Sequence, residues 1–401
     1  MDSNSTNKPK KIMENRNTVL VVAMAVLFFA LAFFNWWKEE DAFSESERRV
    51  LADFPEFSME NISNGKFMEE FESYSLDQFL FRDRFRSMKA LASYGIFGKK
   101  DNNAIYLAEG HLSKMEYPMQ TKMLEHAAVH MEEIYNSYLK EQESKCYFAV
   151  VYDKNYFLAE KNGYLSMNYE DLVSYMREKV DFAEYIDISH LLSLEDYYRT
   201  DTHWRQEKIV DVAEYLKAAM KKEGFLGKEV IEGGQGEKNG KDLSEVSIDK
   251  YEIRELETPF YGVYYGQAAL PVKPDRLYYL ESDILRQCKV TSYDTGTAKE
   301  TVIYNLEKAK GSDAYEIFLS GTSALQVIEN PNAKEEKELV VFRDSFGSSL
   351  VPLLVDGYSK ITVIDTRYVQ SKMLGNLVDF HGQDVLFLYS TVILNNSMSF
   401  R

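Results

Sequence analysis

At 401 residues the chain can bury a sizeable core, enough for one large domain or two modest ones, and its 20 glycines and 8 prolines argue against disorder. A formal net charge of −17 excludes nucleic acid as a partner, because a phosphate backbone is bound by clustered Lys and Arg that displace its counterions. Cys146 and Cys288 are too few for a disulfide framework, and so little cysteine in an exported chain fits a bacterial surface better than an animal secretory pathway.

In chain order, the first element is Thr18–Trp37, 20 residues without a charge. A helix of that length rises about 30 Å, enough to cross the hydrocarbon core of a bilayer. Trp36 and Trp37 close it, at the depth where indoles favour the lipid–water boundary. Lys8, Lys10, Lys11 and Arg16 precede it, and Glu39, Glu40 and Asp41 follow. The positive-inside bias therefore predicts a cytoplasmic tail over 1–17, a transmembrane helix over 18–37 and everything after it outside the cytoplasm. The run is too long, and lacks the small-residue cleavage site, for a removed signal peptide.

Residues 38–100 read as a helical stalk. One helix starts at Gly65, with Phe67, Phe71, Tyr74 and Gln78 at turn spacing, and a second runs from Arg82 to Ser93. Residues 101–401 form the main domain. A hairpin is predicted around Glu109-Gly110, followed by a helix over 119–142, a strand from Cys146, a helix over 169–179, a strand over 182–188 and a helix over 207–222. Short apolar runs return at 338–342, 360–365 and 384–389. Runs of this kind separated by helix-length connections predict an α/β fold, a parallel sheet with helices on both faces. The Gly-, Lys- and Tyr-rich stretch over 225–335 reads as a β-rich insertion.

Two segments carry chemistry. In Tyr198-Arg-Thr-Asp-Thr-His-Trp204, Asp201 and His203 are two apart, so a turning backbone can set the carboxylate on imidazole Nδ1–H and leave Nε2 free as a base. In Phe342-Arg-Asp-Ser-Phe-Gly-Ser348, Ser345 sits at a strand-to-helix junction, exposed and under the backbone N–H groups of the next helix. Gly347 allows backbone or substrate to approach closely. A serine activated by a carboxylate-held histidine is a nucleophile for acyl chemistry. The same residues also suit an ordinary helix cap and a chance Asp-x-His pair. His126 and His130, four apart near Glu125 and Glu133, lack the glutamate directly after the first histidine that a zinc protease uses, and read as a solvated helix face. Neither a metal nor another cofactor is expected.

The Arg-Thr-Asp-Thr-His-Trp and Arg-Asp-Ser-Phe blocks, in this order, resemble the SGNH-hydrolase-like proteins of the alginate acetylation type, which O-acetylate bacterial exopolysaccharides. Phe43-Ser-Glu-Ser-Glu-Arg-Arg-Val-Leu, Tyr74-Ser-Leu-Asp-Gln-Phe-Leu-Phe-Arg, Asp313-Ala-Tyr-Glu-Ile-Phe-Leu and Ile364-Asp-Thr-Arg-Tyr extend the likeness over residues 43 to 400. It is nearest to the Gram-positive branch named for an Asp-His-His-Trp motif, although Thr202 stands at the second position and Arg343 where relatives carry glycine. The resemblance implies an SGNH-like, flavodoxin-type fold, with Asp201, His203 and Ser345 as a triad that carries an acetyl group as an acyl-enzyme. It also implies a membrane-bound O-acyltransferase as acetyl donor and a polysaccharide as acceptor. Trp204, Arg367 and Tyr368 are candidate substrate-binding residues, the last two because they follow a strand end where open α/β sheets place ligands. An esterase using the same triad, or a non-catalytic envelope scaffold, are the rival readings.

Overall fold

The computed structural model describes residues 8–221, 248–294 and 297–401, so the first part of the expected insertion lies partly outside the described residues. The chain divides into two compact units, one ending at Phe97 and the other beginning at Gly98.

In the first unit, helix α1 (Lys8–Trp37) contains a stretch over Asn17–Trp37 that is long and apolar enough to cross a membrane. A short ribbon of β1 (Phe43–Ser44) and β2 (Arg49–Val50) follows, then α2 (Met59–Ser63), α3 (Lys66–Asp77) and α4 (Arg82–Gly95). Asp77 at the end of α3 ties these pieces together. Its carboxylate accepts from both terminal nitrogens of Arg49, at 2.8 and 2.5 Å, and from the Ala52 N–H at 3.0 Å. The Arg49 guanidinium holds that carboxyl below its usual range.

The second unit opens with the hairpin β3 (Ile105–Ala108) and β4 (His111–Lys114), turning at Glu109-Gly110. There follow α5 (Thr121–Ile134), β5 (Cys146–Val151), α6 (Lys154–Asn162), α7 (Tyr169–Lys179), β6 (Glu184–Tyr185) and α8 (Val210–Lys221). The insertion supplies β7 (Glu252–Glu255), α9 (Val263–Ala268), β8 (Tyr278–Glu281), α10 (Asp283–Gln287), β9 (Lys289–Ser292), β10 (Lys299–Thr301) and β11 (Leu325–Glu329). The chain ends with β12 (Glu338–Arg343), α11 (Gly347–Leu354), β13 (Lys360–Ile364), β14 (Asp384–Ser390) and α12 (Thr391–Leu394).

Eight strands form one sheet in the order β10-β9-β11-β13-β12-β14-β5-β6. The five from β13 to β6 are parallel, as the apolar runs and their spacing predict. The insertion adds β11, β9 and β10 to the β13 edge in antiparallel fashion, so the whole sheet is mixed. Both faces are covered, and the alternation of side chains shows it. Tyr147, Ala149 and Val151 of β5 pack with Leu216 of α8 and Leu350 of α11, whereas Cys146, Phe148 and Val150 pack with Met131 of α5 and Met176 of α7. β6 is shorter than the strand predicted over 182–188. The Asp187 carboxylate accepts from the Ser189 N–H at 2.9 Å and starts a 3₁₀ turn, which ends the pairing on this edge.

Candidate active site

Ser345 lies just past the C-terminal end of β12. The turn that presents it is built on the buried carboxylate of Asp344, whose Oδ1 accepts from the Phe346 N–H at 2.9 Å and whose Oδ2 accepts from the Ser390 N–H at 2.8 Å. One side chain thus shapes the turn and pins it to the neighbouring strand. Helix α11 begins two residues after Ser345. The Ser345 N–H donates to no group among the described residues.

Asp201 and His203 come from a loop closed by the Tyr197–Trp204 bridge and by the Tyr198 N–H donating to the His203 carbonyl at 3.1 Å. The loop is held from two sides. On one side the buried Lys154 ammonium donates to the carbonyls of Leu112 at 2.5 Å and Tyr198 at 2.8 Å. Burial pushes that ammonium down to about 7, against the pull of Asp201, Asp275 and Asp153. On the other side the insertion reaches in: Asp275 accepts from the Arg199 and Thr200 N–H groups at 2.8 Å each, and the Gly262 N–H donates to Thr200 Oγ1 at 2.9 Å. The Val263 N–H donates to Asp201 Oδ2 at 2.8 Å.

These supports bring the three residues into line. Asp201 Oδ1 lies 2.6 Å from His203 Nδ1, and His203 Nε2 lies 2.7 Å from Ser345 Oγ. A carboxylate only accepts, so Nδ1 carries the proton and Nε2 accepts from the serine hydroxyl. Asp201 has no exposed surface and His203 is 7% exposed. The Tyr315 ring lies flat on the imidazole, with centroids 3.8 Å apart and planes 7° off parallel. Its hydroxyl meets Ser349 Oγ at 2.8 Å and donates to the Ser345 carbonyl at 3.3 Å, so one tyrosine braces both the base and the nucleophile's backbone. Arranged in this way, the three groups can deprotonate the serine as it attacks an acyl carbon.

A cavity of about 70 Å³ opens beside them, lined among others by His203, Tyr315, Arg343, Ser345, Ser348 and Arg367. Arg367 is therefore on the site wall, where its guanidinium forks onto Asp365 at 2.8 and 2.6 Å. Tyr368 is 46% exposed and lies outside the cavity lining, its ring 5.4 Å from the guanidinium carbon of Arg367. Trp204 does not face a substrate. It has no exposed surface, and its indole N–H donates to the Phe346 carbonyl and Ser349 Oγ, both at 3.0 Å, supporting the backbone behind Ser345. Gly347 does admit a close approach, but of neither backbone nor substrate: a Cβ there would sit 2.7 Å from Cβ of Arg343, whose stem passes beneath the helix start.

The His126–His130 pair is split: His126 lies on the exposed face, as expected, whereas His130 points inward. His126 Nδ1 meets Ser397 Oγ at 3.1 Å, and His130 is buried with its ring 5.1 Å from that of Phe400. Apolar burial pushes the His130 imidazole down to about 4, because the C-terminal segment covers this side of α5. Tyr315, Lys154, Gly262 and Asp275 are the site's supporting residues that the two motifs do not reveal. They come from distant segments, and no spacing in the sequence connects them to Asp201 or Ser345.

Fold and site together define an α/β protein with a serine–histidine–aspartate constellation at the C-terminal ends of parallel strands. Residues 159–364, just over half of the chain, match the family model described as DHHW protein, and the chain belongs to that family. Among solved structures it is similar to a DHHW family protein from Eubacterium siraeum, at 20% identity and a TM-score of 0.56, over 75% of this chain and 95% of that one. It is also similar to PatB1 of Bacillus cereus, at 19% identity and a TM-score of 0.56, over 72% of this chain and 96% of that one. The same protein with a sulfonyl adduct gives 20% identity and a TM-score of 0.55, over 72% and 95% of the two chains. These likenesses show a shared fold. No curated protein matches.

Proposed function

We propose that this chain is an extracytoplasmic O-acetyltransferase, in which Ser345 takes up an acetyl group and passes it to a hydroxyl of a cell-surface polysaccharide. The observation that carries this reading is the relay of Asp201, His203 and Ser345, with 2.6 and 2.7 Å between successive groups drawn from segments 142 positions apart. Such a chain of contacts has a chemical use. As Ser345 Oγ adds to the donor's carbonyl carbon, its proton passes to His203 Nε2, and the buried Asp201 stabilises the resulting imidazolium. His203 returns the proton to the departing alcohol. The acyl-enzyme then runs the same steps in reverse with an acceptor hydroxyl.

The acetyl group and the polysaccharide rest on the resemblance of the Asp-Thr-His-Trp and Asp-Ser-Phe blocks to the exopolysaccharide-acetylating proteins. A membrane-bound O-acyltransferase partner would deliver acetyl from the cytoplasmic side. One apolar helix offers no channel for that passage.

The test uses the detergent-solubilised full chain with p-nitrophenyl acetate, following phenolate release and intact mass, beside Ser345→Ala and His203→Ala. Wild type is expected to gain one acetyl group on Ser345, with release falling by at least about 10³-fold in either variant. Added oligosaccharides that collect the label identify a transferase, and water as the sole acceptor identifies an esterase. Wild type and Ser345→Ala behaving alike would sink the catalytic reading and leave the scaffold.

A further inference from the structure

Beside the nucleophile lies a buried cation, two of whose nitrogens have no acceptor among the described residues. Arg343, two residues before Ser345, is 2% exposed and lines the cavity beside the nucleophile. Its Nη1 makes long contacts with the Asp344 carbonyl at 3.3 Å and Asp365 Oδ2 at 3.5 Å. Its Nε and Nη2 donate to nothing among the described residues. The nearby carboxylate of Asp365 is already taken by the fork of Arg367, at 2.8 and 2.6 Å. A buried guanidinium with two idle nitrogens, three N–H donors in all, is costly, and such a group in a native fold calls for a partner that arrives with the ligand. The Ser345 N–H is the other unused donor here.

We propose that the Arg343 guanidinium is the second oxyanion donor of this site, acting with the Ser345 N–H on the carbonyl oxygen of the acyl group. This rests on the acyl-transfer reading of Ser345. When Ser345 Oγ adds to the carbonyl carbon, the C=O electron pair moves to oxygen, and the charge that develops there falls between a backbone N–H and a fixed cation. When the intermediate collapses, that pair re-forms the carbonyl, and the leaving oxygen takes its proton from His203 Nε2. Donors already oriented beside the nucleophile gain most from charge that appears only in the transition state. The cavity, at about 70 Å³, suits an acyl group as small as acetyl. Gly347 serves the same device, since the Arg343 stem occupies the space a side chain there would need.

The experiment compares the full-length wild type with Arg343→Met and Arg343→Lys, again with p-nitrophenyl acetate and with thermal unfolding of each variant. Arg343→Met is expected to lower kcat by roughly 10²–10³-fold with KM within about threefold, and Arg343→Lys to recover part of the loss. A merely structural arginine would shift the unfolding midpoint without that kcat-specific loss. The proposal is overturned if Arg343→Met turns over within about threefold of wild type, or if Arg343→Lys does so where Arg343→Met gives no cooperative unfolding. An inert wild type that matches Ser345→Ala overturns the acyl-transfer reading itself, whereas an active wild type matched by the arginine variants overturns only the role of Arg343.

Discussion

At the scale of single residues, the second unit keeps several ionisable groups in states they would not hold in water, and each leaves a signature in stability. Glu116, just after β4, is buried with its Oε1 lacking a hydrogen-bond partner. The nearest cation, the Lys114 ammonium, is 3.6 Å away. Burial pushes the carboxyl up from 4.5 to about 7. The sign of the effect follows from proton counts. Between pH 4.5 and about 7 the folded carboxyl still holds a proton that the unfolded one has lost, so stability falls as pH rises through that window. Above it the folded state bears the whole cost of a buried, poorly paired anion, up to about 3 kcal/mol. Glu116→Gln removes the charge and keeps the shape. Its unfolding midpoint is expected to match wild type near pH 4.5 and to exceed it by several degrees at pH 8. Coincident midpoints at pH 8 would show that Glu116 is ionised without penalty. The same reasoning explains why Lys154 tolerates full burial: carbonyls of Leu112 and Tyr198 take up its donors, and in exchange it fixes the loop that carries Asp201 and His203.

At the scale of elements, the insertion does more than widen the sheet, because its loop over Phe260–Asp275 closes against the Asp201 loop. Gly262 has a φ of −78°, open to any residue, so its role is not conformational. The reason for glycine is contact: a Cβ there would overlap Cβ, Cα and N of Asp201. Gly262→Ala must therefore push one loop off the other. Displacing Asp201 by even 1 Å can cost about 10²-fold in rate. The expected outcome is a kcat loss of that order toward p-nitrophenyl acetate, with the fold retained by circular dichroism; an alanine variant of unchanged kcat would mean that the loop shifts without carrying Asp201. This contact also marks where the sequence stops being legible. The helix over 169–179 and the strands beginning at 146, 338, 360 and 384 stand out because their signal is local, in periodicity and in runs of apolar residues. Asp201, His203 and Ser345 stand out because each lies in a short motif with a chemical reason. By contrast, the antiparallel addition of β11, β9 and β10 depends on pairing between distant segments. So do the stacking of Tyr315 on His203 and the reach of Asp275 to the Thr200 backbone. Neither leaves a trace in local spacing. Trp204, a candidate substrate-binding residue whose place beside His203 also suits packing behind it, proves to be a prop behind the nucleophile through its buried hydrogen bonds.

At the scale of the whole molecule, the acceptors that Ser345 can reach depend on which side of a membrane the second unit occupies. The apolar stretch over Asn17–Trp37 has the length to span a bilayer, and none of its most apolar window is buried in protein. Lys8, Lys10, Lys11 and Arg16 precede it, whereas Lys38 alone among cations follows closely, beside Glu39, Glu40 and Asp41. The bias of Lys and Arg sets topology, so the N-terminus is expected in the cytoplasm and residues beyond 38 outside. The proposed chemistry needs this orientation, since a surface polymer is accessible to Ser345 only from that side. Protease added to intact spheroplasts is expected to remove a C-terminal tag while an N-terminal tag survives until the membrane is broken. Loss of the N-terminal tag from the mature protein would instead identify α1 as a removed signal. A C-terminal tag protected in intact spheroplasts would place Ser345 on the cytoplasmic side, and the acceptor would then have to be sought among molecules made inside the cell.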